Sequence, residues 1–218
     1  MLPFTPEQFV EVFAAYNRET APAPLLGYVL GLLALPALWR RDRHAERIAA
    51  SSIALMWIST GALYHWTYFA EINPIARVFG ALFIVQGAAL LWFGVFSARL
   101  TFRWPSARRG AAGAALILYS MIGYPLAAAA IGHTYPAMPT FGITPCPVTL
   151  FTAGMLLLAS HPPRLLWVVP LCWSVVAGSA AFLLRMPQDW PLLATALVAG
   201  SGIIGFRRRR LQRHPKAA

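Results

Sequence analysis

Carboxylates are scarce in this chain: Glu7, Glu11, Glu19, Asp42, Glu46, Glu71 and Asp189 are all it has among 218 residues. So dispersed, they offer no obvious pair for general acid–base work. Lysine is scarcer still. The single lysine, Lys216, sits in the C-terminal tail, which excludes a retinal Schiff base inside a helical bundle. No P-loop, dinucleotide glycine motif, Gly-x-Ser-x-Gly or His-Glu-x-x-His is present. The chain is therefore not expected to be an enzyme. Its two cysteines, Cys146 and Cys172, are not expected to pair. On ~1.5 Å rise per residue they differ in depth by about 13 Å, against the roughly 7 Å that a disulfide spans. A cleavable leader is not expected either, because residues 1–20 carry Glu7, Glu11 and Glu19 and no apolar core.

What the chain has in excess is apolar length. Hydrophobic residues make up 58% and charged residues 11%, against about 25% charge in soluble domains. Seven apolar runs, at about 22–39, 48–70, 73–96, 111–131, 144–160, 164–184 and 189–206, each approach the ~20 residues that cross a bilayer. The expected fold is an all-α bundle of seven transmembrane helices over residues 22–206. A basic cytoplasmic tail follows at 207–218, and an extracytoplasmic amphipathic segment precedes it at 1–21. In that segment Thr5, Pro6 and Gln8 form a capping box, while Phe9, Val12, Phe13 and Tyr16 share a face. Such a helix lies in the headgroup plane as an anchor or folds over the bundle as a lid. Gly27 with Gly31, and Ser201 with Gly205, are four apart and are expected to allow close helix contact.

The net charge of +11 does not indicate nucleic acid, because the basic residues form short clusters between apolar runs. Fifteen of the eighteen fall on one side: Arg40, Arg41, Arg43 and Arg47; Arg99, Arg103, Arg108 and Arg109; Arg164; and the tail from Arg207 to Lys216. Arg18, Arg77 and Arg185 fall on the other. The positive-inside rule then places the N-terminus outside, with anionic lipid headgroups the expected partner on the cytoplasmic side. Trp39, Trp92, Trp104 and Trp167 mark the inner boundary, and Tyr64, Trp66, Tyr68 and Trp190 the outer one.

Each helix descending from outside begins with a capping residue and a proline: Thr20 with Pro22, Asn73 with Pro74, Thr144 with Pro145, and Asp189 with Pro191. Ile72-Asn73-Pro74 and Ile143-Thr144-Pro145 are alike enough to suggest duplicated hairpins, although shared capping alone accounts for the likeness. The polar residues hardest to explain gather on this outer side. His65, Glu71, Asn73, Arg77, His133, Thr144, Cys146, Arg185 and Asp189 are the candidate ligand-binding set, with Glu71 and Arg77 as a charge pair. Cys146, between Pro145 and Pro147 in the first turn of its helix, has the macrodipole's positive end beside its sulfur. With His65 and His133 it would make a mixed S/N site for Cu or Zn, Met121 and Met138 adding thioethers. The bland alternatives are that Cys146 is a small buried hydrophobe at a helix entry and that the helix starts are only capped.

Phe4-Thr5-Pro6-Glu7-Gln8-Phe9, Tyr64-His65 followed by Ile72-Asn73-Pro74, and Thr144-Pro145-Cys146-Pro147 resemble a family of uncharacterised bacterial multi-pass membrane proteins, a domain of unknown function. The resemblance covers nearly the whole chain and implies a protein of the bacterial inner membrane, but it supplies no activity. The function expected from the residues is binding or transport of a small solute, a thiophilic metal ion among the candidates, at a pocket open to the extracytoplasmic face. The alternative is a non-catalytic scaffold or sensor acting through Phe206 to Arg210 on a cytoplasmic partner.

Overall fold

The computed structural model describes residues 3–40, 42–105 and 107–197, and these are all-helical but for turns and one isolated bridge. Helix α1 spans Pro6–Glu19. Its start is the capping box that the spacing predicts: Gln8 N–H donates to Thr5 Oγ1 (3.2 Å) and Thr5 N–H to Gln8 Oε1 (2.8 Å). Its apolar face is turned onto the bundle, where Phe13 stacks on Tyr64 and Tyr16 meets Tyr64 edge-on. Asn17, fully buried, donates to the carbonyls of Pro136 (2.7 Å) and Met138 (2.8 Å) and accepts from Thr140 Oγ1 (2.9 Å). Helix α1 therefore covers the end of the bundle, the lid of the two arrangements.

The chain bends by 85° into α2 (Ala23–Ala34), which runs on as a 3-10 turn to Leu38. Helix α3 (Arg43–Ser59) continues through a π-helical stretch, Thr60–Phe69, into the short α4 (Ala70–Ile72). Helix α5 (Ala76–Leu91) returns and ends in a π turn at Trp92–Phe96. Helix α6 (Ala107–Leu118) joins α7 (Tyr124–Ala130) through a third π segment, Tyr119–Gly123. Helix α8 (Pro145–Leu157) and helix α9 (Leu165–Leu183) follow, and a helical stretch over residues 190–197 closes the described chain.

Three of these are long and apolar enough to cross a membrane: Ala76–Phe96, Arg108–Ala130 and Leu165–Leu183. The run at 48–70 is helical, but its Ser, Thr, His and Tyr residues dilute its hydropathy. The run at 144–160 is a different object. Its helix has 13 residues, about 20 Å at 1.5 Å per residue against a hydrocarbon core of ~30 Å. Every residue from Pro145 to Leu156 is buried. Helix α8 is thus the core around which the others stand. Trp57 Nε1 donates to Thr152 Oγ1 across to it (2.8 Å). The Leu156 carbonyl in its last turn and the Ala159 carbonyl just beyond it accept from Arg109, at 3.3 and 2.9 Å.

Small residues set the closest contacts. A Cβ on Gly61 would lie 2.7 Å from the Gly80 carbonyl, and one on Gly87 2.8 Å from that of Ala54, while Gly94 rests against Ala50 Cβ. Gly80, Gly87 and Gly94 recur every seven residues, so one face of α5 lies against α3 backbone to backbone. Gly113 and Gly154 do the same between α6 and α8. Gly27 and Gly31 also permit close approach, but to Phe141 and Gly142 of the loop before α8 rather than to another helix. Ser201 and Gly205, and the tail 207–218, lie outside the described residues.

The four expected side-chain caps are not made. Thr20 Oγ1 donates back to the Tyr16 carbonyl (2.6 Å), closing α1 instead of opening α2. Asn73 offers its backbone carbonyl, not its side chain, to Ala76 N–H (2.9 Å). Asp189 accepts from Tyr124 Oη (2.6 Å). Thr144 stands at the N-cap position with extended backbone, yet its hydroxyl donates to the Thr140 carbonyl (2.7 Å). For Thr144 the reason is in the sequence. A capping oxygen needs the N–H of the second or third helical residue, and Pro147 removes the third.

Candidate functional site

At the ends of the helices remote from the Arg40–Arg47 and Arg99–Arg109 clusters, the structure encloses a cavity of about 230 Å³. Phe4, Phe9 and Phe13 roof it from the N-terminal segment. Tyr64 and Phe69 wall one side from the π-helical stretch, and Phe79 and Trp173 the other, from α5 and α9. Its polar part is small and lies where the first turn of α8 meets the turn after α9. There Cys146 and Asp189 line it together. Tyr124, wholly buried on α7, holds Asp189 in place through the 2.6 Å hydrogen bond, and Tyr119 Oη holds the preceding residue by donating to the Gln188 carbonyl (2.9 Å).

Several polar atoms around this space have no partner among the described residues: Tyr64 Oη, Trp173 Nε1, Tyr16 Oη, Ser174 Oγ and both ring nitrogens of His65. Leaving such a group buried and unpaired costs about 1–3 kcal/mol, so their concentration at one end marks it off from the rest of the bundle. His65 is boxed by aromatic rings, with Phe83 at 4.7 Å, Trp173 at 5.0 Å and Tyr64 at 5.2 Å between centroids. It backs the wall and does not line the cavity.

Of the nine candidate binding residues, Asn73, Cys146 and Asp189 line this space. Thr144 is buried beside it and engaged with Thr140. Glu71 and Arg77 are both exposed and form no ion pair with each other. The second residue of α5, Arg77 faces outward, so the charge pair drawn from the sequence does not shape a pocket. His133 and Arg185 belong to a separate open groove of about 320 Å³ on the other side of α1, shared with Glu7 and Glu11. There the backbone N–H at the start of α1, and then the Thr5 hydroxyl, hold Glu7's carboxyl below its ordinary range, while burial lowers His133.

The proposed metal set is thereby divided. Cys146 lines the cavity, His65 lies behind its wall and His133 lies in the other groove, and no cluster of three His, Cys, Asp or Glu side chains suited to a metal occurs among the described residues. The polar neighbours of Cys146 are Asp189, Tyr124 and Trp173. Both cysteines are free, Cys146 buried and Cys172 exposed on α9. Three residues of the site escape sequence reasoning. Trp173 and Tyr124 sit mid-run with nothing to distinguish them from packing aromatics, and Phe4 precedes the helix whose face it extends.

The described residues thus form an all-helical protein in which three helices are long and apolar enough to cross a membrane and aromatic side chains wall a cavity at one end. The chain belongs to DUF6064, a family of unknown function, which it matches over residues 6–215. No curated protein and no solved structure matches it.

Proposed function

We propose that this is a polytopic membrane protein, N-terminus outside, that binds a small molecule in the cavity beneath α1. The observation that carries the reading is the cavity itself: about 230 Å³, apolar walls and a few convergent polar groups are the usual form of a ligand site. The arginine distribution supports the orientation, since the cavity lies away from the clusters that mark a cytoplasmic face. In this arrangement the helices starting at Ala23, Arg43, Ala76, Ala107 and Leu165 carry the chain across, and α8 is their buried core. Anionic lipid is the partner of the arginine-rich side. A solute held by aromatic walls and the Cys146–Asp189 corner fits the site better than a metal ion, whose three expected ligands are dispersed. The test is a thermal-shift screen of small molecules against the full chain beside Ala177→Phe, which fills the cavity. Ligands that raise the melting temperature of the wild type and not of the variant support the reading, and equal shifts in both contradict it.

A further inference from the structure

The cavity has a roof toward water and a window toward lipid. Phe4, Phe9 and Phe13 close it on the α1 side, Phe4 being only 8% exposed and Phe13 2%. On the flank between α5 and α9 its lining includes Ile75 and Val176, which are 56% and 43% exposed. In a membrane-spanning bundle such apolar rim residues face acyl chains, so the opening they frame leads into the bilayer. Ala180, small and half-buried, stands on the same rim of α9. The polar groups of the lining are Asn73 near the Ile75 rim and, deeper in, Cys146 and the Tyr124-bonded Asp189, with Tyr64 Oη and Trp173 Nε1 on side chains more than nine-tenths buried and without partners among the described residues.

Resting on the reading of this cavity as a binding site, we infer that its ligand is a lipid-dissolved, single-chain amphiphile with an uncharged hydroxyl or carbonyl head. It enters laterally between α5 and α9, sets its head against the Asp189–Cys146 corner and leaves its chain in the window. An anionic head does not suit the space, because no Lys or Arg among the described residues lines it while Asp189 does, and a buried unpaired charge is far costlier than a buried hydroxyl. A cationic head offers no acceptor to the buried indole N–H of Trp173. The hydroxyl or carbonyl answers the orphaned donors of Tyr64 and Trp173, and the aromatic walls take the first carbons of the chain.

The experiment uses the full chain in phosphatidylcholine vesicles with a long-chain alcohol carrying a diazirine near its hydroxyl, and in parallel a short, water-soluble diazirine diol. After illumination, adducts are mapped by peptide mass spectrometry. The expected result is labelling of Tyr64, Cys146 or Trp173 by the long-chain probe. That labelling is lost with excess unlabelled oleyl alcohol and in Ala180→Trp, which blocks the window, and retained in Val175→Trp, which lies on the exposed face of α9. Labelling confined to lipid-facing residues, or cavity labelling indifferent to Ala180→Trp, overturns lateral entry. Cavity labelling by the diol alone overturns the lipid ligand and leaves the cavity a binding site. Labelling by neither probe overturns both.

Discussion

Between α3 and α5, Gly61, Gly80, Gly87 and Gly94 bring two backbones into contact, whereas a few turns away beneath α1 the same pair of helices supports aromatic side chains around an open space of about 230 Å³. Along the seam, close packing leaves no room for a single added carbon. Under the roof, rings meet edge-on and hydroxyl, indole and imidazole groups are buried without partners among the described residues. The first arrangement is what stability alone requires of helices in an apolar medium. The second forgoes stability in one place, and such local deficits concentrate at functional sites. The 10-residue π-helical stretch that carries Tyr64 and His65 belongs to the second region, and π segments recur at such sites.

The sharpest way to break the contrast is to overfill the seam. Gly87→Leu puts a branched side chain where even a Cβ would stand 2.5 Å from Ile58 Cγ1 and 2.8 Å from the Ala54 carbonyl. The expected loss exceeds the ~1–3 kcal/mol of ordinary overpacking, because one obstacle is backbone, and size-exclusion profiles should show little folded protein. Next comes the roof's attachment. Asn17→Leu orphans the carbonyls of Pro136 and Met138 and the Thr140 hydroxyl, at about 1–3 kcal/mol for each group left truly buried. Protease cleavage near Thr20 should then accelerate while the seam stays protected.

Filling the open region should do the reverse of filling the seam. Ala177→Phe lies on the cavity wall and is expected to raise stability by about 0.5–2 kcal/mol, the usual return from cavity filling, read as a higher melting temperature with ligand response abolished. A smaller effect belongs to the arginine-rich end. Asp42 caps α3 by accepting from Ala45 N–H (2.8 Å). That backbone hydrogen bond, with Arg40 beside it, holds the carboxyl below its ordinary value. Its contribution is present above the unfolded carboxylate range and lost as pH falls through the lower folded value. The melting-temperature gap between wild type and Asp42→Asn should therefore narrow in acid and stay level near neutrality. No difference at all is expected in Cu or Zn content between wild type and Cys146→Ser, measured by elemental mass spectrometry, because His133 stands in another groove.

Much of the aromatic end is legible in the sequence. Thr5 and Gln8 announced the first helix, the face of Phe9, Val12, Phe13 and Tyr16 announced that it had something to cover, and Cys146, Asn73 and Asp189 were rightly suspected of sharing a region. No side-chain cap forms at any of the four helix starts. A cap needs the N–H of the second or third helical residue, and Pro147 removes the third for Thr144, while the Thr20 hydroxyl and the Asp189 carboxyl are engaged by Tyr16 and Tyr124 and Asn73 uses its backbone carbonyl instead. Arg77 and Glu71 misled because nearness along the chain says nothing of which way a helical side chain points. Tyr124 and Trp173 carry no local signal, since only tertiary packing gives Asp189 its partner or brings the indole to Cys146. The seven-residue recurrence of Gly80, Gly87 and Gly94 was there to be read, but the four-residue pair Gly27 and Gly31 drew attention to a contact that turned out to be made by a loop. Helix α8 shows the limit of hydropathy, because a run apolar all round can be the centre of a bundle as well as a span.

The central claim is that the aromatic end is open in order to hold a molecule. Native mass spectrometry of the full chain, released gently from the membrane, tests it most directly when wild type and Ala177→Phe are measured side by side. The account predicts a discrete added mass, in one-to-one ratio, on the wild type and none on the variant. An identical spectrum for both proteins, bare or equally decorated with lipid, would contradict it.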